Sequence, residues 1–269
     1  FLHRYSRHIK IDQVGESGQR KLSSARVLVV GAGGLGSPAL LYLAAAGVGT
    51  IGIIEFDSIE LSNLQRQIIH SEGGVGTSKA ASAAARITEL NSTTLVEVFD
   101  RPISRENALD VMSGFDLVVD GSDNFATRYL LNDACVMAGK PYVWGSVLRF
   151  DGQVSVFGLP GGPCYRCVYP SPPEPGSVPN CADAGVFGAI CGVIGSLQVS
   201  EVLKVIIGVG EVLSGRIAIF DALSARIEEV SIARDIHCPM CGDSPSITEL
   251  LDFVSFGPGS GREEGGARW

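Results

Sequence analysis

Residues 26–36 of the chain read RVLVVGAGGLG, a β-branched apolar run that ends in a glycine-rich turn. Residues 35–47 are apolar and rich in alanine, and residues 51–55 form a second β-branched run. A short continuous apolar run bounded by glycine indicates a parallel strand that is buried on both faces. The stretch therefore predicts a strand, a helix and a second strand, which is the repeating unit of a doubly wound sheet.

The same alternation continues to about residue 150. Further helices are predicted over residues 79–90, 105–112 and 124–138, and further strands over residues 94–99, 117–120 and 142–147. Beyond it, the pattern predicts a strand at 153–157, a proline-rich loop at 170–176, an apolar helix at 184–199 and strands at 216–220 and 226–231. The predicted fold class is α/β, a doubly wound Rossmann-like and mainly parallel sheet extended by antiparallel strands.

Composition and charge exclude several classes of protein. The 269 residues are 45% hydrophobic, which is enough for a sizeable core, and the net charge is −8. An acidic chain lacks the basic surface that nucleic acids and anionic membranes require. Residues 184–199 are shorter than the ~20 residues of a membrane span and are followed by Glu201 and Lys204, so we expect a buried core helix. Without an apolar signal segment at the N-terminus, we expect a cytoplasmic protein.

The glycine loop, GAGGLG at residues 31–36, matches the pattern G-x-G-x-x-G between a strand and a helix. Its glycines, Gly31, Gly33, Gly34 and Gly36, would let the backbone approach phosphates at the N-terminus of the helix. Glu55 ends the next strand, where an acidic residue can bind a ribose hydroxyl. The loop alone does not distinguish ATP from NAD, and a tight turn without a ligand is the structural alternative.

Two polar segments follow. Residues 62–67 read SNLQRQ, and Lys79 comes thirteen residues after Arg66. These cations suit a triphosphate whose pyrophosphate must leave, although a solvated helix face would have the same composition. Residues 120–124 read DGSDN and follow a predicted strand, so they lie at the ligand-binding edge of such a sheet. Asp123 could hold Mg²⁺ there, while a helix N-cap is the alternative.

These three motifs in this order resemble the MoeB/ThiF family of ATP-dependent activating enzymes. The resemblance runs from about residue 4 to residue 243, and its other markers are RYSR at residues 4–7 and two C-x-x-C pairs. It implies that the glycine loop and Glu55 hold ATP and that Asp123 holds Mg²⁺. The family usually has aspartate at the position of Glu55. Four further residues would bind the phosphates: Asn63, Arg66, Gln67 and Lys79.

The resemblance also implies a reaction and partners. The C-terminal glycine carboxylate of a small ubiquitin-fold sulfur carrier ending in Gly-Gly would attack the α-phosphorus of ATP and release pyrophosphate. Arg7 would reach into the ATP site of a second subunit, which implies a homodimer. The sulfur donor would be a separate sulfurtransferase or cysteine desulfurase. The resemblance leaves open which pathway the carrier serves: molybdopterin, thiamine, cysteine, tRNA thiolation or a natural product.

The seven cysteines fall into distinct groups. The first C-x-x-C pair is Cys164 and Cys167, and the second is Cys238 and Cys241. Four thiolates with this spacing predict a structural tetrahedral Zn²⁺ site, with two redox pairs as the alternative. An odd number of cysteines with such pairs indicates a reducing compartment rather than a disulfide framework.

The remaining cysteines are Cys135, Cys181 and Cys191. Cys181 follows the proline-rich loop, where related proteins place a cysteine that in some of them links covalently to the carrier. An inert loop thiol is the alternative, and Cys135 and Cys191 are expected in the core.

Four segments are therefore expected. Residues 1–25 form a helical arm, residues 26–150 the ATP-binding part, residues 151–243 the carrier-binding and zinc part of the same domain, and residues 244–269 a tail or linker. An NAD-dependent oxidoreductase is the alternative enzyme, but it leaves Arg66, Lys79 and Asp123 without roles. A non-catalytic scaffold of the same fold is the other alternative. Such scaffolds have typically lost the arginine, the lysine and the magnesium-binding aspartate.

Overall fold

The computed structural model describes residues 2–174 and 184–251. Its helices are α1 (Ser6–Ile9), α2 (Gly15–Ser24), α3 (Gly36–Ala46), α4 (Lys79–Leu90), α5 (Ala108–Ser113), α6 (Phe125–Ala138), α7 (Tyr165–Val168) and α8 (Gly188–Ile207). Its strands are β1 (Arg26–Val30), β2 (Thr50–Ile54), β3 (Leu95–Phe99), β4 (Leu117–Asp120), β5 (Tyr142–Leu148), β6 (Asp151–Phe157), β7 (Arg216–Asp221) and β8 (Arg226–Ser231). Two single turns of 3-10 helix, Leu61–Asn63 and Glu72–Gly74, lie between β2 and α4.

All of these strands belong to one sheet in the order β3-β2-β1-β4-β5-β6-β7-β8. The neighbours from β3 to β5 are parallel, and those from β5 to β8 are antiparallel. The predicted fold class is confirmed in this arrangement. The order reverses at β1 and β4, which is where a sheet of this kind leaves a crevice for a ligand.

Alternate residues of the central strands face opposite layers of helices. Val27 and Val29 pack into one buried cluster with side chains of α3, α4 and α8, whereas Leu28 and Val30 pack into a second cluster with side chains of α5 and α6. Because both faces are covered, β1, β2 and β4 read as continuous apolar runs. By contrast, every residue of the edge strand β8 is exposed.

Helix α8 is longer than the sequence predicts. It has 20 residues and is apolar enough to span a membrane by length and composition, but half of its most apolar window is buried within the protein. It packs against α3, β5 and β6. The helix continues past Glu201 because that carboxylate accepts the Leu213 N–H at 2.8 Å and pairs with Lys204 at 2.6 Å. These contacts identify α8 as a core helix.

Helix α5 is shorter than the sequence predicts. It begins at Ala108 rather than near residue 105, because the Asn107 side chain accepts the Ser104 N–H at 2.9 Å and donates to the Pro102 carbonyl at 3.0 Å. Side-chain bonds of this kind compete with the first turn of a helix.

Candidate functional site

A cavity of about 410 Å³ opens at the carboxyl ends of β1, β2 and β4. The glycine loop, the end of β2, residues 66 and 67, the start of α4, residues 121–124 and residues 126–128 all contribute to its wall. This is the reversal point of the strand order, where sheets of this class bind ligands. The glycine loop, the SNLQRQ segment with Lys79 and the DGSDN segment therefore meet at one cavity.

The glycine loop adopts a backbone path that requires glycine at two positions. Gly31 has φ +94°, and a Cβ added there would lie 2.8 Å from the carbonyl oxygen of Gly121. A Cβ on Gly36 would overlap the Gly31 carbonyl. The loop is thus packed directly against residue 121, beside the DGSDN segment.

Ala32, at the centre of the glycine loop, is held from two sides. Its N–H donates to Glu55 Oε2 at 2.9 Å, and its carbonyl oxygen lies 3.0 Å from His70 Nε2. The other oxygen of Glu55 accepts the N–H groups of Phe56 and Asp57 at 2.8 and 2.9 Å. Glu55 lines the cavity and also joins the glycine loop to the end of β2.

His70 connects the glycine loop to α4. Because a carbonyl can only accept, Nε2 carries the proton, and Nδ1 accepts from the Ser82 hydroxyl at 3.0 Å. Burial lowers the pKa of His70 from its ordinary value of 6.5, and the nearby Lys79 charge lowers it further. His70 is therefore a neutral link at neutral pH between the loop and the helix that carries Lys79.

Three polar side chains form the opposite wall. The Lys79 side chain is 8% exposed and its ammonium lies 3.1 Å from Asp57 Oδ2, whereas the Asp57 side chain is 57% exposed. Arg66 is half-buried and donates to the Ser62 carbonyl at 3.2 Å. Gln67 is buried, and its Oε1 has no hydrogen-bond partner. This oxygen can only accept a hydrogen bond, so an N–H or O–H group of a ligand could satisfy it.

The DGSDN segment divides its roles among its side chains. Asp120 is fully buried and accepts from the Ser122 N–H at 2.8 Å and from the Tyr142 hydroxyl at 2.5 Å. Burial raises the pKa of this carboxyl. Asn124 caps α6 by accepting the Thr127 N–H at 2.8 Å. Because Asn124 takes the cap, Asp123 is left exposed on the cavity wall with its carboxylate available to a cation.

The structure brings most of the predicted ligand-binding residues together. The cavity is lined by Gly31, Gly33, Gly34, Glu55, Arg66, Gln67, Lys79 and Asp123. Gly36 instead begins α3, and Asn63 is buried with its side chain accepting the Glu60 N–H at 3.1 Å. Arg7 is exposed on α1 and is not part of the wall of its own cavity. Cys181 lies outside the described residues.

Sequence reasoning missed other residues of the wall. Asp57, Arg128 and Leu251 line the cavity, and so does the buried Cys191. Arg128 stacks over the Phe125 ring, with its guanidinium carbon 5.4 Å from the ring centre. Asp57 could have been proposed from the sequence, because it lies only two residues after Glu55 and therefore close to the same end of β2. Cys135 and Cys191 are both buried, as predicted.

The two C-x-x-C pairs come together at the C-terminal end of α6. Their four sulfur atoms lie within 4.8 Å of one another, with Cys164 to Cys238 at 3.6 Å and Cys167 to Cys241 at 3.4 Å. A tetrahedral Zn²⁺ with Zn–S bonds of about 2.3 Å needs sulfurs roughly 3.8 Å apart. Four thiolates this close together repel one another unless a cation lies between them. The donor set fits a closed zinc site.

Arg166, between the first two cysteines, forms a buried ion pair with Asp133 of α6. Its Nε and Nη2 lie 2.7 and 2.8 Å from the two carboxylate oxygens, and the side chains are 3% and 0% exposed. Arg166 Nη1 also donates to the Pro170 carbonyl at 2.9 Å, and the Tyr129 hydroxyl donates to the Ser171 carbonyl at 2.6 Å. The cysteine knuckle and the start of the proline-rich loop are both anchored to α6.

The chain matches the ThiF family over residues 5–240. It is 50% identical over 260 residues to a Thermus thermophilus protein named sulfur carrier protein adenylyltransferase, covering 95% of this chain and 96% of that protein. It is 51% identical over 259 residues to a Mycobacterium tuberculosis protein named probable adenylyltransferase/sulfurtransferase MoeZ. That match covers 94% of this chain and 64% of the relative, so the chain spans under two thirds of MoeZ.

The fold is shared with a solved structure. E. coli MccB, described in complex with AMPCPP and MccA, superposes with a TM-score of 0.79 at 26% identity. The superposition covers 89% of this chain and 74% of MccB. AMPCPP is an analogue of ATP, so the similar structure was obtained with an adenine nucleotide.

Proposed function

The chain belongs to the ThiF family, and on that premise we propose that it adenylates the C-terminal glycine of a small ubiquitin-fold sulfur-carrier protein. One observation carries the proposal: the cationic side chains of Arg66 and Lys79 line the same cavity as the glycine loop. A dinucleotide needs little positive charge beyond its glycine loop, whereas a reacting triphosphate needs a good deal. The names of the Thermus and Mycobacterium relatives support the same reading.

The reaction needs no general base on the enzyme. The carrier's terminal carboxylate is ionised at neutral pH and attacks the α-phosphorus of ATP directly. A carboxylate oxygen–phosphorus bond forms, the bond between the α-phosphorus and its bridging oxygen breaks, and the electron pair leaves with pyrophosphate. The chain's own part is to hold the two reactants in line and to neutralise the charge that develops on the phosphates.

The charges on the wall indicate how the phosphates would be held. The cations are Arg66, Lys79 and Arg128, and the carboxylates are Glu55, Asp57 and Asp123. Because these charges balance, the wall alone does not offset the roughly four negative charges of ATP. Asp123 would hold Mg²⁺, which neutralises phosphate oxygens when bound. Lys79 would move its contact from the solvated Asp57 to a phosphate.

Three further proposals concern the surroundings. Arg7, exposed on α1, would complete the site of a second subunit in a homodimer. The cysteine cluster would hold Zn²⁺ as a structural ion, because four sulfurs leave no position for water. A separate sulfurtransferase or cysteine desulfurase would supply the sulfur that converts the adenylated carrier to a thiocarboxylate. The free cysteines among the described residues suit the reducing cytoplasm.

Exchange of labelled pyrophosphate into ATP tests the main proposal. The assay is run with and without a ubiquitin-fold protein ending in Gly-Gly from the same genome, and with and without Mg²⁺. We expect exchange that requires both, and its loss in Asp123→Ala while the thermal unfolding curve is unchanged. Measurable NAD binding without exchange for any such carrier would contradict the proposal, and full activity of Asp123→Ala would contradict the magnesium assignment alone.

A further inference from the structure

Residues 246–251, which follow the cysteine cluster, form a strap that runs from that cluster to the nucleotide cavity. At its start, the N–H groups of Ser246 and Ile247 both donate to the Pro239 carbonyl, at 3.0 and 2.9 Å. Ile247 packs against the cluster of buried cysteines. The strap is therefore fixed at one end to the loop between Cys238 and Cys241, rather than leaving the protein surface there.

The other end of the strap enters the wall of the cavity. Leu250 is 8% exposed and packs into the buried cluster to which Ile103 and Phe125 also belong. Leu251 is 40% exposed and lines the cavity itself, as do Pro102 and Ile103. A leucine that is held by a buried neighbour and still faces the cavity can contact a ligand without a large change in the fold.

The strap meets the cavity at an apolar part of its wall. Leu250 shares its buried cluster with Ile103 of the segment after β3 and with Phe125, the first residue of α6, whereas the proposed phosphate-binding groups lie on the glycine loop, at residues 66 and 67, at the start of α4 and at the DGSDN segment. An apolar wall suits the flat face of a purine and gives nothing to a phosphate. The two ends of ATP would thus meet different chemistry.

We propose that Leu251 is a nucleotide-binding residue that contacts the base end of ATP, and that the strap positions it. The inference rests on the proposed function, because it takes an adenine nucleotide as the ligand. It gives residues 246–251 a role that a tail or linker does not have. It also assigns to the segment after the second C-x-x-C pair a part in substrate binding.

Binding measurements on the full chain test the role of Leu251 without requiring a carrier. We would measure the dissociation constants of ATP, AMP and inorganic tripolyphosphate by calorimetry for the wild type, Leu251→Ala and Leu251→Met. Because the contact is apolar and partly exposed, we expect Leu251→Ala to weaken ATP and AMP by the same factor, about three- to tenfold. Tripolyphosphate should be unaffected, and Leu251→Met should restore most of the affinity.

Leu90 supplies a matched control, because its exposure of 39% is close to that of Leu251. It is the last residue of α4, at the opposite end of the helix from Lys79, and it does not line the cavity. We expect Leu90→Ala to bind all three ligands as the wild type does. Wild-type affinity of Leu251→Ala for AMP, or equal losses in Leu90→Ala, would overturn the inference and leave the proposed function standing if carrier-dependent exchange persists. A wild type that binds neither ATP nor AMP would overturn both.

Discussion

The chain pairs a buried cation with an aspartate in two regions, one beside the cysteine cluster and one on the cavity wall. Arg166 and Asp133 meet through two short bonds and are both buried, whereas Lys79 meets Asp57 through one 3.1 Å contact and Asp57 is mostly exposed. In the first pair every approach is occupied by protein. In the second, water can replace Lys79 at the carboxylate, so the lysine is available to an anionic ligand.

The difference shows that burial of the carboxylate, more than burial of the cation, separates a structural pair from one that a ligand can use. A buried carboxylate that loses its partner has no substitute, and the cost falls on folding. An exposed carboxylate is solvated when its partner moves, so the cost is small. The following experiments test whether the two regions differ in this way.

The largest effect on stability is expected from breaking the buried pair between Arg166 and Asp133. Arg166→Ala leaves the Asp133 carboxylate buried without its partner, so we expect the free energy of unfolding to fall by about 3–5 kcal/mol. Urea unfolding followed by circular dichroism measures the change. The matched variant is Lys79→Ala, which leaves only the exposed Asp57 carboxylate, so we expect a loss of at most about 1 kcal/mol. Equal losses of stability in the two variants would contradict the distinction between the two pairs.

Loss of the pair between Lys79 and Asp57 should instead affect activity. In Lys79→Ala the proposed phosphate contact is lost while the solvated Asp57 is not stranded, so we expect pyrophosphate exchange to fall about 10²–10³-fold. The midpoint of urea unfolding should change little. Lys140→Ala is the control, because Lys140 follows the far end of α6 and does not line the cavity. An unfolded Lys79→Ala protein would show that this pair is structural as well.

Removal of the metal from the cysteine cluster, which lies beside Arg166 and Asp133, should lower stability. Loss of a structural ion present at about 100 times its dissociation constant costs about 2.7 kcal/mol, so a chelator should lower the melting temperature by about 5–10 °C. Differential scanning calorimetry with and without the chelator, followed by added Zn²⁺, measures the loss and its reversal. A melting curve that the chelator leaves unchanged would contradict the zinc assignment.

A smaller effect is expected from pH, through His70 on the cavity side. Its pKa is lowered in the folded protein, so below about pH 6.5 the unfolded chain binds a proton that the folded chain refuses. The free energy of unfolding should therefore decline as pH falls through this range, and His70→Gln should flatten the decline. Denaturant unfolding between pH 7.5 and 5.5 measures both slopes. Identical slopes would show that other groups cause the dependence.

The smallest effect is expected from Cys181, which follows the loop that Arg166 and Tyr129 anchor. Adenylation needs no thiol, so Cys181→Ala should leave pyrophosphate exchange at the wild-type rate. Loss of exchange would show that Cys181 takes part in the adenylation step. Transfer of the activated carrier to a thiol would be assayed separately, by gel shift under non-reducing conditions.

Four elements were predicted to the residue from local sequence pattern, and most others to within one or two residues. Strands β1, β4 and β8 and helix α4 have the bounds that the apolar periodicity predicts. The 3-10 turn Leu61–Asn63 was missed because the side chains of Glu60 and Asn63, rather than periodicity, determine it. Helix α8 was predicted too short because the Leu213 N–H that Glu201 accepts comes from a later loop.

The candidate site was predicted where function is carried by motifs and missed where it depends on distant contacts. Asp123 and Lys79 stand in recognisable segments. The partner of Lys79 lies 22 residues earlier, and Leu251 reaches the cavity only after the cysteine cluster has returned the chain to α6. No local pattern reports contacts of that range, because they form through tertiary packing.

The cysteine cluster also has a consequence for the order of synthesis. Its two knuckles are 74 positions apart, and α8 lies between them. At about 5–20 residues per second, the ribosome delivers Cys238 roughly 4–15 s after Cys164. Until then, the first two thiols lack the ligands that would enclose a metal ion. Chaperones and competing metal ions meet the nascent chain during that interval.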